Sequence, residues 1–307
     1  VNPIDRAVAA WDSTIDRSRA RSRGFDHVWQ ARERYQSMFG PRLAAAIAYY
    51  GFFAAFAIGL LGYSILGFVL GGNKVVLGTV NGYLQRNLPF LNVTAIQSAR
   101  NAVAIIGLLG LLFAGIGWID SMRSSQRAMW GLAQHPGNFV IRWLTDLAIL
   151  LGLGVLLGLG LLASSGLRDL AGITLRAAGA PAGAVRLGQE WVGEALASGL
   201  NLLMSAGLLL AVPRVWASAN RILGPTVLVG VGLTLLTTLG RIYIGHAEHN
   251  PAYRVAGAAV GLLVFLNLFS QLLLFGSALA ATSPRGRVRD LAAGTPATDR
   301  DADDTVG

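Results

Sequence analysis

The sequence predicts an all-α integral membrane protein, a six-transmembrane-helix bundle with amphipathic helices at the membrane interface. Three observations carry this. Charged residues are only 13% of the chain, about half the roughly 25% of a soluble domain. Hydrophobic residues are 53%, and the mean hydropathy is +0.53. Six apolar runs approach or exceed the ~20 residues a helix needs to cross a bilayer core of roughly 30 Å. Alternation at period two is absent from them, which argues against a β-barrel.

The runs are, in order, Leu43–Leu70, Ala102–Ile119, Ile141–Ala163, Ala195–Val212, Pro225–Ile244 and Val255–Ala281. The first and last are long enough to tilt or to extend past the membrane. Pro41, Pro213, Pro225 and Pro251 all fall at or near run ends, where proline punctuates helices. Small residues recur at helical spacing in Gly51, Ala55 and Gly59, in Gly107, Gly110, Ala114 and Gly117, and in the pair Gly154 and Gly158. Such stripes let helices approach closely.

Between and before the runs lie the connecting segments. Residues 1–42 hold eight arginines and no apolar stretch, so no cleaved signal is expected there. Within them, "FDHVWQARERYQSMFG" (25–40) places Phe25, Val28, Trp29, Arg32, Tyr35 and Phe39 on one face. That face suits the inner membrane surface. Residues 73–100 and 164–196 show the same pattern and are expected as short amphipathic helices lying on the outer surface or capping the bundle. The acidic tail "TPATDRDADDTVG" has no apolar face and is expected to be disordered. The organisation is therefore an N-terminal segment (1–40), a six-helix domain (41–283) and a disordered tail (284–307).

Orientation follows from Lys and Arg near the helix ends. With both termini cytoplasmic, 17 of the 25 Lys and Arg fall inside. The expected location is a bacterial cytoplasmic (inner) membrane, spanned several times.

Polar stripes on the runs supply the candidate site. Thr234, Thr237, Thr238 and Arg241 share one helical face, at spacings of three and four. Glu190, Glu194, Ser198, Asn201 and Ser205 form a second stripe, and Asn267, Ser270 and Gln271 a third. Polar groups facing lipid are costly, so these faces should turn inward. Arg241, Glu190, Glu194, Asn201, Thr234, Thr237, Thr238, Asn267 and Gln271 are the substrate-cavity candidates, with Arg241 expected to pair with Glu190 or Glu194. The bland alternative is hydrogen-bonded glue between helices. On the inner side, Arg123, Arg127 and Arg142, with Asp120 and Asp146, form either a positive-inside anchor or a patch for lipid head groups. Arg142 and Asp146, one turn apart, are placed to pair.

The exclusions are as useful. The chain has no cysteine, so no disulfide, Cys-ligated zinc or thiol nucleophile. "HAEHN" holds His246, Glu248 and His249 but lacks the His-Glu-x-x-His order of a zinc protease. The segment is expected as the wet end of a hairpin, with Asn250–Pro251 as turn initiator; a metal or proton-linked role for the histidines is the alternative. No P-loop is present. The reading names no enzyme, no metal and no cofactor.

The chain resembles the YihY/BrkB family of bacterial inner-membrane proteins over roughly residues 28–282. The resemblance rests on the basic lead-in, on "PRLAAAIAYYGFFAAFAIGLL" and on "GWIDSMRSSQRAMWGL". "LGPTVLVGVGLTLLTTLGRIYI" and "GLLVFLNLFSQLLLFGSALAA" complete it. Ala278 stands where similar proteins carry a glutamate, and Phe265, Leu266 and Asn267 cover the region where they carry a tryptophan. The family was once labelled a ribonuclease; transport of amphiphiles or an envelope role is what the resemblance implies.

Two functions follow as expectations. The first is a transporter or flippase-like carrier of an amphiphilic or envelope-related substrate. The second is a non-catalytic scaffold or subunit of an envelope complex. The expected partners are membrane lipids, anionic head groups among them, and a second copy or an envelope protein. Nucleic acid is not among them.

Overall fold

The computed structural model describes residues 3–69, 100–247 and 254–292. The expected outer-surface segment 73–99, Glu248, His249 and the tail from 293 lie outside the described residues, as do the side chains of Arg241 and His246. Among the described residues the chain is helical almost throughout. Helices α1 (Pro3–Arg21) and α2 (Arg23–Ser37) precede α3 (Gly40–Val69). Then come α4 (Arg100–Gly110), a π-helical turn (Leu111–Gly115) and α5 (Ile116–Trp130). These are followed by α6 (Phe139–Ala177), α7 (Ala182–Leu210), α8 (Ala219–Ala247) and α9 (Arg254–Thr282). Two short strands, β1 (Val215–Ala217) and β2 (Val288–Asp290), pair antiparallel.

Among the described residues, six helical segments are long and apolar enough to cross a membrane, and they match the six runs. Neighbours pack in the order α6, α7, α8, α9, α3 and α4–α5. The ring closes where α5 meets α6, with Leu150 lying against Gly115 and Arg123 against Asp146. Alpha-3 buries Ala44, Ile47, Ala48, Gly51 and Ala54 at helical spacing and leaves Tyr49, Tyr50, Phe53 and Phe56 outward. Gly51 allows Trp118 to sit against the α3 backbone; a Cβ there would lie 2.8 Å from the indole nitrogen. The core of Ile47, Met122, Met129, Leu208, Leu209, Leu273 and Leu274 lies toward one end of the bundle. That end also carries α2, β1 and β2, and is called the base below.

Four expectations are corrected. Residues 164–196 are not helices lying on a surface. They are the ends of α6 and α7, which run on past the apolar runs and turn at residues 178–181. Alpha-6 has 39 residues, or about 58 Å at 1.5 Å per residue, far more than a bilayer core. Pro225 does not start a helix; it lies inside α8, which begins at Ala219. Gly154 and Gly158 do not pack, since a Cβ at either would meet nothing within 4 Å. The tail is not disordered from residue 284, because Val288–Asp290 is strand β2 against Val215–Ala217.

The amphipathic segment 25–40 has two working faces where the sequence suggested one. Ser22 caps α2 by accepting from the Phe25 backbone N–H. His27, Ala31, Arg34, Tyr35 and Met38 then turn toward the bundle. His27 Nε2 lies 2.9 Å from the Leu279 carbonyl, Arg34 donates to the Met129 carbonyl at 2.9 Å, and Tyr35 meets Phe275 edge-on. Tyr35 is thus separated from Phe25, Trp29 and Arg32, which form a stacked outer cluster with Arg32 4.7 Å above the Trp29 ring. Gly131 ends α5 with φ of 71°, a left-handed conformation that glycine adopts freely.

Candidate functional site at the base of the bundle

The charged machinery of this molecule gathers on α5. Within "DSMRSSQRAMW", Arg123, Gln126 and Arg127 are all fully buried. Spacings of three and four put them on one side of the helix, and each reaches a different element. Arg123 makes a forked contact with Asp146 of α6, its Nε 3.0 Å from Oδ1 and its Nη2 3.1 Å from Oδ2. It also donates to Asp120 and to the Gln134 carbonyl. Gln126 donates to the Leu208 carbonyl on α7 and to Ser277 on α9. Arg127 pairs with both oxygens of Asp290 on β2, at 2.9 and 2.6 Å, and donates to the Pro213 carbonyl. A buried guanidinium is tolerated only with such partners.

Arg214, in the turn before β1, adds a second cation to Asp146 at 3.0 Å and donates to the Arg142 carbonyl. Burial pulls the Arg214 guanidinium down from its ordinary value, and the Asp146 carboxylate opposes that pull. The left-handed backbone of Arg214, φ 57°, turns the chain there, and its carbonyl accepts from the Leu291 N–H.

Beside this network, at the seam between α5 and α6, is a cavity of about 220 Å³. It is lined by Ile116, Gly117 and Asp120 on α5, His135 in the connection, and Phe139, Arg142, Trp143 and Asp146 on α6. Asn138 caps α6 through the Val140 N–H, which fixes the first turns carrying Phe139, Arg142 and Trp143. Arg142 differs from the other arginines. Its side chain is partly exposed, its nearest carboxylate is Asp120 at 3.9 Å, and it lies 5.5 Å from the Phe139 ring centre.

Over residues 31–301 the chain matches the family described as Virulence factor BrkB. It belongs to the BrkB family. An uncharacterised protein of Dickeya dadantii (strain 3937) is 26% identical over 278 residues, covering 84% of this chain and 83% of that protein. Inner membrane protein YhjD of Escherichia coli (strain K12) is 25% identical over 279 residues, covering 84% and 80%. No solved structure matches. This BrkB-family chain carries its "GWIDSMRSSQRAMWGL" motif on α5 and its cap, so the segment behind the resemblance is also the one that ties the base together.

The expected site residues divide sharply. Of the three head-group candidates, Arg123 and Arg127 are corrected: both are fully buried against carboxylates and face no membrane surface. Arg142 remains partly exposed at the cavity, but it does not pair with Asp146, which Arg123 and Arg214 occupy.

The cavity candidates toward the other end pack chiefly within their own helices. Thr234 donates to the Gly230 carbonyl, and Thr237 and Thr238 both donate to the Thr234 carbonyl. Gln271 donates to Asn267 one turn away on α9. Across helices, Asn201 of α7 donates to Thr234 of α8 at 2.9 Å. Glu194 is exposed, and Glu190 is exposed and pairs with Arg186 of its own helix at 2.9 Å. The Asn201–Thr234 bond sets the antiparallel register, which puts residue 194 level with residue 241 and residue 190 beyond it.

Sequence reasoning passed over Gln126, Arg214, Asp290 and His135. The missed signal was the i, i+3, i+4 set of Arg123, Gln126 and Arg127. The same spacing was used for the threonine stripe but not applied to α5.

Proposed function

We propose that this chain is a carrier, transporter-like or flippase-like, for an amphiphilic, envelope-related substrate in the bacterial inner membrane, and not an enzyme. The location is carried over from the printed name of the Escherichia coli relative. The base, with its buried arginines and both terminal segments, is the cytoplasmic end in this reading, as the Lys and Arg distribution favours.

The observation that carries the reading is the cavity at the α5–α6 seam. It combines charged groups, Asp120 and Arg142, with the aromatic wall of Phe139 and Trp143. Phe139 and Trp143 are themselves exposed, so the cavity opens onto apolar helix surface. A polar pocket bordered by apolar helix surface suits a molecule with a head and a tail. The seam is the contact that closes the helix ring, and two ion pairs span it, the close Arg123–Asp146 and the longer Arg142–Asp120 at 3.9 Å.

The test is lipid translocation in vesicles holding the full chain. A short-chain fluorescent phospholipid serves as probe, read by chemical quenching of the outer leaflet. Translocation faster than in protein-free vesicles, and slowed by Arg142→Gln, is expected. A rate equal to the protein-free control sinks the carrier reading.

A second reading, a non-catalytic scaffold of an envelope complex, has its own support. Thr234, Thr237, Thr238, Asn267 and Gln271 bond within their helices or between two of them, as structural glue does.

A further inference from the structure

We infer that the α5–α6 cavity recognises a zwitterionic lipid head group, one that carries a phosphate and a primary ammonium. This deepens the carrier reading and rests on it only for the fate of the lipid, not for its binding.

Of the three charges lining the cavity, Asp146 is taken up by Arg123 and Arg214, which leaves Arg142 and Asp120 with spare capacity. Arg142 is the cation. Its guanidinium has no acceptor within hydrogen-bond distance among the described residues, and Asp120 is 3.9 Å away. Such a fork matches a phosphate. Asp120 is the anion, and its side chain is 39% exposed. Its Oδ1 takes the contact from Arg123, whereas Oδ2 accepts no hydrogen bond among the described residues and lies 3.9 Å from His135 Nε2. That oxygen is open to a donor. Trp143 and Phe139 wall the site with apolar surface, and the Phe139 face already lies under the Arg142 guanidinium.

A purely anionic head group satisfies only half of this. It places its phosphate near Arg142 but leaves Asp120 Oδ2 without a donor, and Asp146 also lines the cavity. A quaternary ammonium restores charge balance but brings no N–H. A primary ammonium does both. The cavity, about 220 Å³, has room for a head group, set against about 30 Å³ for a water in the liquid. Arg123 does not compete for the ligand, because Asp146 and the Gln134 carbonyl already hold it.

The experiment is native mass spectrometry of the delipidated full chain in detergent, titrated with phospholipids of identical acyl chains. The head groups are ethanolamine, its mono-, di- and trimethylated forms, and glycerol. Affinity should fall with each methyl added, and ethanolamine should exceed both the trimethylated form and glycerol by about tenfold, the equivalent of one charged hydrogen bond. Asp120→Asn should remove that preference, and Arg142→Gln should weaken all five lipids. Equal binding along the methylation series overturns the proposal. Tighter binding of the glycerol lipid overturns it as well and leaves a plain anion site. Should Asp120→Asn fail to fold, the methylation series on the unaltered chain decides alone. Graded binding without translocation removes the carrier reading and keeps the head-group site; translocation with no head-group preference does the reverse.

Discussion

Arg123 and Glu190 are both charges placed near the end of an apolar helix, yet the molecule treats them in opposite ways. Arg123 at the base is fully buried and bonded to Asp120, Gln134 and Asp146. Glu190 at the far end is exposed, and its pair is Arg186 on the same helix. The base spends its charges on contacts between elements, whereas the described far end leaves them on the surface. Stability is therefore concentrated at the base, and the carboxylates there form a graded series. The Asp146 side chain is 2% exposed, that of Asp290 16% and that of Asp26 33%.

The largest effect is expected at Asp146. Asp146→Ala leaves Arg123 and Arg214 facing each other without their shared carboxylate. Removing one partner of a buried pair costs about 3–5 kcal/mol. Thermal unfolding in detergent should show a large fall in midpoint or no folded protein at all. Glu190→Gln, at the other end of the comparison, should stay within about 0.5 kcal/mol of the parent chain. Similar losses at the two sites would show that the base holds no special share of the stability.

Much of this contrast was legible before any coordinates. The apolar runs gave all six spans because burial in a bilayer needs about 20 apolar residues whatever the tertiary fold. The failures are local. Residues 164–196 alternate polar and apolar groups at helical spacing, and that pattern fits a surface helix and a long hairpin equally well. Pro225 resembled a helix start, yet α8 begins at Ala219 and tolerates the proline inside it. The site was harder to read. Whether Arg123 faces lipid or Asp146 depends on the crossing of α5 and α6, which local spacing does not encode. Asp290 is 163 residues from Arg127, and a short acidic-basic stretch such as "RGRVRD" gives no local sign of a strand.

A middle effect is expected at Asp290, which tests whether the tail belongs to the base. Asp290→Asn keeps the shape of strand β2 but removes the charge that holds both nitrogens of Arg127. Arg127 keeps the Ala133 and Pro213 carbonyls, so the loss should be smaller than at Asp146, about 1–3 kcal/mol. Hydrogen exchange should rise in Val215–Ala217 and Val288–Asp290 together, since the two strands pair. A rise confined to residues 288–290 would mean that the tail is an appendage and not a part of the base.

The smallest effect concerns Asp26, which joins α1 to α2 through Arg19 at 2.7 Å. The Arg19 hydrogen bond holds the Asp26 carboxyl below its ordinary value, and Asp26 in turn raises the Arg19 guanidinium. A carboxylate with a depressed folded-state pKa contributes stability that is present above its ordinary pKa. That contribution is lost as pH falls through the depressed value. The α1–α2 contact should therefore hold through neutral and mildly acidic solution and loosen only below the ordinary carboxylate range. Amide exchange in residues 10–21, followed down in pH, measures this directly. Asp26→Asn should give at neutral pH the exchange that the parent chain reaches only in acid. Because both side chains are substantially solvated, added salt should shrink the difference, whereas the base network of Arg123 and Asp146 should be indifferent to it. Equal salt sensitivity at the two places would mean that burial does not distinguish them, and the contrast between the base and the exposed ion pairs would fall.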